Sequence, residues 1–133
     1  MNDHHEIGAV LIRYATGIDR RDWELFRTVF TPDCVLDYGP IGTWHGIEEV
    51  LAFMRQSHDM AGHTLHRITN VAATVDGDSA QARSYVDAVI MSPDGTSGVN
   101  AVGFYDDELE RTGAGWQIRR RRFTTVRIGG TNP

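Results

Sequence analysis

The sequence predicts an α+β fold in which three N-terminal helices pack on a strongly curved, mainly antiparallel sheet. Apolar residues recur at steps of three and four up to His58, and alternate with polar ones from residue 64 onward. The alternating stretches run to 12 or 13 residues apiece, well beyond the usual ~5 to 6. Strands that long curl in a twisted sheet, so helices laid across the concave side leave a cavity. With 133 residues, 41% apolar and 23% charged, the chain reads as one domain, 1–133, around one core.

The first helix spans 6–18, where Ile7, Val10, Leu11, Tyr14, Ala15 and Ile18 form one apolar face and Asn2 or Asp3 supplies the N-cap. His4 and His5 precede it in a terminus expected to fray. Asp22 caps a short second helix with Trp23, Phe26 and Phe30 on one side, which Thr31-Pro32-Asp33 stops. Residues 34–38 form a short strand. After the turn-rich Gly39-Pro40-Ile41-Gly42, a third helix from about 46 to 58 presents Ile47, Val50, Leu51 and Met54. Four strands follow over 64–75, 79–91, 99–111 and 116–128. They are separated by Asp76-Gly77, Pro93-Asp94-Gly95 and Gly113-Ala114-Gly115, which makes an antiparallel meander.

Composition excludes several classes. Net charge is −5, and all 13 bases are arginine, so a sequence-independent grip on a phosphate backbone is not expected and neither is a nucleic-acid partner. Cys34 alone cannot close an internal disulfide, the first residues lack the basic segment and cleavage site of an export signal, and no apolar run reaches the ~20 residues that span a bilayer. A soluble, cytoplasmic protein without a membrane partner is the expectation.

Chemistry concentrates at a few positions. Gly8, Ile12, Ala15 and Asp19 fall at steps of four, three and four, so a carboxylate ends a stripe of small and apolar residues. Its alternative role is to cap the second helix beside Asp22. His66 shares a strand face with Ile68 and Asn70. A carboxylate bonded to one nitrogen of His66 would fix its tautomer and leave the other to move protons. Asp37 and Tyr38 are strand neighbours, so one faces the cavity, either a carboxylate base or a phenol donor. Tyr14 reads first as a core residue. Asp87 is a further candidate for the cavity wall. His58, His63 and His66 resemble a metal cluster in composition only, since His63 and His66 point to opposite faces, and neither metal nor other cofactor is expected. Arg119 to Arg122 would divide two and two across the sheet, most simply as a solvated or dimer-facing strand.

The run Tyr14-x4-Asp19, then Arg21-Asp22-Trp23-Glu24-Leu25-Phe26, then Leu36-Asp37-Tyr38, resembles the opening of scytalone dehydratase and of bacterial bile-acid dehydratases. His66-x3-Asn70 is similar to the same enzymes and to hexachlorocyclohexane dehydrochlorinase. Over residues 7–127 the chain resembles the SnoaL-like branch of the nuclear-transport-factor-2-like superfamily. That resemblance implies a cone-shaped half-barrel, the cystatin-like fold, around an apolar pocket. It also implies that Asp19 pairs with His66 and that Tyr38 contacts a leaving or carbonyl oxygen. Tyr14 matches a further tyrosine of the bile-acid enzymes and Asp87 loosely an acid there. Two departures stand out: Val89-Ile90-Met91-Ser92 occupies the region where scytalone dehydratase has a second catalytic histidine, and Val102-Gly103-Phe104 the region where ketosteroid isomerase, another relative, has a protonated acid.

The function expected is that of a cofactor-free lyase, dehydratase-like, or isomerase acting on a small apolar cyclic ketone or alcohol. His66 oriented by Asp19 would act as general base, with Tyr38 as proton donor and Tyr14, Asp37, Asn70 and Asp87 as substrate contacts. The alternative is a non-catalytic small-ligand-binding or scaffold protein of the same fold. An isomerase using Asp37 as base requires Asp37 inward and Tyr38 outward. An edge-rich curved sheet commonly pairs with a second copy, so a homodimer is expected.

Overall fold

The computed structural model describes residues 2–131. Helix α1 (Asp3–Asp19) begins earlier than its apolar period suggests, because tertiary partners hold its first turn. The Asn2 side chain accepts from the His5 N–H at 3.2 Å, Trp116 Nε1 donates to Asp3 at 3.2 Å, and His4 Nε2 donates to the Ala73 carbonyl at 3.1 Å. His4 and His5 are therefore helical rather than frayed. Helix α2 (Trp23–Arg27) is capped as expected by Asp22, which accepts from the Leu25 N–H at 3.1 Å. It approaches α1 at Gly17, where a Cβ would lie 2.9 Å from that of Phe26.

Phe30, expected beside α2, instead opens strand β1 (Phe30–Asp37), and Thr31-Pro32-Asp33 lies inside that strand. Proline is tolerated there because pairing with the last strand is irregular between Phe30 and Val35. A 3₁₀ turn (Gly39–Ile41) and a three-residue strand β2 (Thr43–His45), which sequence periodicity is too short to mark, lead into α3 (Ile47–His58). Then come β3 (Thr64–Asp76), β4 (Ser79–Met91), β5 (Gly98–Thr112) and β6 (Gly115–Gly130). One sheet results, in the order β2-β1-β6-β5-β4-β3. The last four strands are the expected meander, β1 joins β6 in parallel, and every other pairing is antiparallel. The architecture is the cystatin-like, nuclear-transport-factor-2-like fold.

The inner face of the sheet alternates as it should. Ala80, Ala82, Ser84, Val86 and Ala88 on β4 and Tyr105, Asp107 and Leu109 on β5 are buried against Ile7, Leu11, Tyr14 and Ile18 of α1. The arginine run of β6 does not divide two and two. Arg120 pairs with Glu108 and Ile118 with Leu109, so Arg119 is the extra residue of a β-bulge. The bulge resets the parity, leaving Arg119, Arg120 and Arg122 exposed and Arg121 completely buried.

Arg121 makes a two-bonded pair with Asp107, at 2.7 and 2.8 Å, with both side chains at zero exposure. Its guanidinium carbon lies 4.2 Å from the ring centre of Tyr14 and 3.7 Å from that of Tyr105. Burial would lower the Arg121 pKa, but the Asp107 carboxylate outweighs it and holds the guanidinium above its ordinary value. Breaking such a pair strands a charge in the core, whereas replacing both members with apolar groups of similar volume removes the desolvation penalty as well. Arg121→Ala should therefore lower unfolding stability by about 3–5 kcal/mol in a denaturant titration, and Asp107→Leu/Arg121→Met together by markedly less. Equal losses in the two proteins would show that packing rather than charge pairing governs this site.

Candidate active site

Asp19 ends α1, and Thr64 and His66 open β3, the strand on which α1 packs, so helix end and strand start converge. Asp19 Oδ1 accepts from His66 Nδ1 at 2.7 Å and from the Thr64 hydroxyl at 2.9 Å. Its Oδ2 accepts from the His66 backbone N–H at 2.8 Å. A carboxylate only accepts, so the imidazole proton sits on Nδ1 and Nε2 is the nitrogen left to take up another. Burial alone would raise the Asp19 pKa, but the His66 side chain, the His66 backbone N–H and the Thr64 hydroxyl together hold it below the ordinary carboxylate value. Side-chain exposure is 8% for His66 and 18% for Asp19, so the pair is largely out of water. Asp19 does not cap α2; Asp22 does.

Arg21, which sequence reasoning carried only as part of a motif, fixes this arrangement from behind. Its backbone is left-handed, at φ 54°, uncommon for a side chain with a Cβ. From there Nε donates to the His58 carbonyl at 2.9 Å and Nη2 to the Gly62 carbonyl at 2.7 Å. Nη1 reaches the Ile18 carbonyl at 3.0 Å and the Thr64 hydroxyl at 2.9 Å. The Thr64 hydroxyl thus accepts from Arg21 while donating to Asp19.

In front of His66 lies a cavity of about 190 Å³. Its wall is mostly apolar, with Phe53, Met54, Val86, Ala88 and Phe123 among the contributors. Polar atoms come from His66, from His58 and Ser57, and from the hydroxyls of Tyr14, Tyr38 and Tyr105. Tyr38 is inward and bonds its hydroxyl to that of Tyr14. Burial raises the Tyr38 and Tyr105 pKa values well above the ordinary phenol value, so both remain protonated at neutral pH. Tyr14 is both core and cavity wall, 1% exposed. Strand parity on β5 marks Tyr105 as inward, a signal that sequence reasoning passed over.

Three expected contacts lie elsewhere. Asp37 turns away from the cavity, accepts from the Gly39 N–H at 3.0 Å and from Arg122 at 3.3 Å, and stays ionised with a lowered pKa through those bonds. This removes the geometry needed for Asp37 as a base. Asn70 does not share the His66 face, because a bulge between Thr69 and Ala72 breaks the alternation and Asn70 itself is left-handed, at φ 53°, and exposed. Asparagine suits that backbone, which accounts for it without a ligand. Asp87 is on the outer face, half-exposed, between Arg67 at 3.1 Å and Asn100 at 3.1 Å. Of the three histidines, His63 stays apart, while the ring centres of His58 and His66 are 5.8 Å apart. Among the described residues no three His, Cys, Asp or Glu side chains are grouped as a metal site.

Comparison with known proteins identifies the family and the fold. The family described as SnoaL-like domain matches residues 1–122. The uncharacterized protein Rv2910c of Mycobacterium tuberculosis is 30% identical over 123 residues, 91% of this chain and 84% of that one. A crystal structure of a candidate aromatic ring hydroxylase of Novosphingobium aromaticivorans superposes with a TM-score of 0.89 at 31% identity, over 97% of this chain and 93% of that one. A hexachlorocyclohexane dehydrochlorinase superposes at 0.82 with 19% identity, over 92% and 84%, and so shares the fold. No helix among the described residues is long and apolar enough to cross a membrane.

His58 supplies a stability test. Burial pulls its pKa from 6.5 down to about 4, so between those values the unfolded chain holds a proton that the folded chain refuses. Stability due to this group is complete above about pH 6.5 and is lost as pH falls toward 4, by up to about 3 kcal/mol. The stability difference between the parent protein and His58→Phe, followed by denaturant titration from pH 7 to pH 4, should shift by about that amount against the parent. A difference that does not change with pH would show His58 titrating alike in both states.

Proposed function

The chain belongs to the SnoaL-like domain family, and on that premise we propose that it is a cofactor-free lyase or isomerase moving a proton beside the carbonyl of a small, largely apolar cyclic substrate. The observation that carries this reading is the 2.7 Å bond between His66 Nδ1 and Asp19 at the wall of an apolar cavity. Base and orienting carboxylate are within hydrogen-bond reach, as general base catalysis requires.

His66 Nε2 removes a proton from the carbon next to the carbonyl. Asp19 faces the imidazolium that results, in a site dry enough for the attraction to count. The Tyr38 hydroxyl, linked to that of Tyr14, donates to the carbonyl oxygen as negative charge builds there. In an isomerisation His66 returns the proton to another carbon; in an elimination the proton leaves with the departing group. The dehydrochlorinase neighbour is named for an elimination, which is compatible with the same use of a base.

The test needs no knowledge of the natural substrate. Cyclohexanone, 1-indanone and acetophenone in deuterated water should exchange their α-protons faster with the protein present, followed by proton NMR. His66→Gln and Asp19→Asn should each slow that exchange by at least ~10², with circular dichroism unchanged. Equal exchange in all three proteins, or none dependent on His66, would leave only a ligand-binding module with this pocket.

A second copy is expected on the outer face of the sheet. Leu65 and Tyr85 are 55% and 49% exposed there, and Tyr85 pairs across strands with Phe104. The ion pairs Arg67–Asp87 and Arg83–Asp106 flank them, so a two-fold axis can bring opposite charges together. Sedimentation should give twice the chain mass, and Tyr85→Arg should give a monomer. A monomeric parent protein at micromolar concentration would refute this.

A further inference from the structure

His58 closes α3 with its ring buried, 7% exposed, and in the wall of the same cavity as His66. Its Nδ1 lies 2.9 Å from the Met54 carbonyl and 2.9 Å from the Ser57 hydroxyl. A carbonyl only accepts, so the ring proton is on Nδ1; the Ser57 hydroxyl donates its own proton to the Phe53 carbonyl at 2.8 Å and accepts from the ring. The imidazole is neutral at pH 7, which leaves Nε2 as a bare acceptor with no protein partner among the described residues. Arg21 pins the backbone carbonyl of the same residue, so the acceptor is held in place from both ends.

The polar inventory of the cavity is then short. His66 Nε2 is the base, and His58 Nε2 is a second acceptor. Tyr14 and Tyr38 bond to each other, so one of those two hydroxyls donates to the other and the pair has one O–H to offer, with the protonated Tyr105 hydroxyl beside it. No Arg, Asp or Glu side chain is among the lining residues, so the occupant is uncharged. A void of about 190 Å³ is slightly larger than the roughly 150 Å³ that holds a benzene ring, and a ring with a few further atoms fills it.

We propose that His58 is a substrate-anchoring residue whose Nε2 accepts a hydrogen bond from a hydroxyl of a neutral, single-ring hydroxy ketone, while the carbonyl oxygen of that ketone faces the Tyr14–Tyr38 pair. The hydroxyl so held is one that stays on the substrate, because an acceptor cannot deliver the proton that a departing hydroxyl needs. The proposal rests on the cavity being the substrate site assigned above, and it does not depend on His66 acting as the base.

The probes are 2-, 3- and 4-hydroxyacetophenone, each against its methyl ether, with dissociation constants measured by NMR titration at pH 7. At least one hydroxy compound should bind the parent protein about tenfold tighter than its ether, the usual cost of leaving a buried acceptor unpaired. That preference should fall to within about twofold in His58→Phe and persist in His66→Gln. An equal preference in the parent and His58→Phe, or none for any hydroxy compound in the parent, overturns the proposal. Should His58→Phe not fold, nitrogen-15 spectra of the parent histidines decide instead. The Nε2 resonance of His58 should move upfield with the hydroxy compound and not with the ether, and its failure to move is the overturning result. Since binding is read here and proton exchange in the earlier test, either reading can fail while the other stands.

Discussion

The Arg21 guanidinium is the constraint on which the geometry of the cavity depends. At the ends of α1 and α3 the Ile18 and His58 carbonyls each accept one backbone N–H, from Arg21 and Ala61, which leaves each a second lone pair, and helix carboxyl ends carry partial negative charge. One cation placed between the two ends bonds the Ile18 carbonyl of α1 and the His58 carbonyl of α3, then reaches the loop at Gly62 and the first side chain of β3. A left-handed residue at this corner costs of order 1 kcal/mol or more and persists only where its surroundings demand it; here four hydrogen bonds do so. Asp19 and His66 stand 47 positions apart in the chain, and their meeting follows from this corner.

Behind the cavity a second cation does different work. Arg121 lies against the rings of Tyr14 and Tyr105 and is neutralised by Asp107. The same tyrosines present their hydroxyls to the cavity, so the buried ion pair forms the floor on which the phenols rest. The Tyr14 ring is further fixed by Phe26 and Phe30, with ring centres 5.3 and 6.0 Å away. A donor that must meet developing charge without reorganising benefits from rigid support of this kind.

How far the site was legible depended on whether local periodicity survived folding. On β1 the alternation is broken at 30–33 but holds from Cys34 onward, where Cys34, Leu36 and Tyr38 are buried, and Asp37 and Tyr38 therefore divide as alternation requires. On β3 and β6 it failed, because bulges at 69–72 and at Arg119 insert a residue and reverse the parity beyond them. Asn70 and the arginine run were misplaced for that reason. Asp87 was readable from its neighbours: Ala80, Ala82, Val86 and Ala88 set the inner face of β4 and leave odd positions outside. Helix pattern and turn residues carried the order of elements, but not β2 or the parallel pairing of β1 with β6, which arise from long-range contacts. The Asp19–His66 pair came from a resemblance, and no spacing rule would have produced it.

The two imidazoles of the cavity show how the same side chain acquires different chemistry from the partner of a single nitrogen. Each has its Nδ1 proton engaged, by the Asp19 carboxylate in His66 and by the Met54 carbonyl in His58. A proton arriving at Nε2 of His66 makes a cation in contact with an anion. The same event at His58 makes a cation whose own hydrogen bonds reach only dipoles, with burial opposing it first and the His66 and Arg21 charges after that, against a smaller attraction from Asp19. In a mostly apolar cavity, the difference between those outcomes is the physical basis for proposing proton transfer at one ring and hydrogen-bond acceptance at the other. Two histidines at 5.8 Å are thus not redundant, and the carboxylate at the end of α1 makes the distinction.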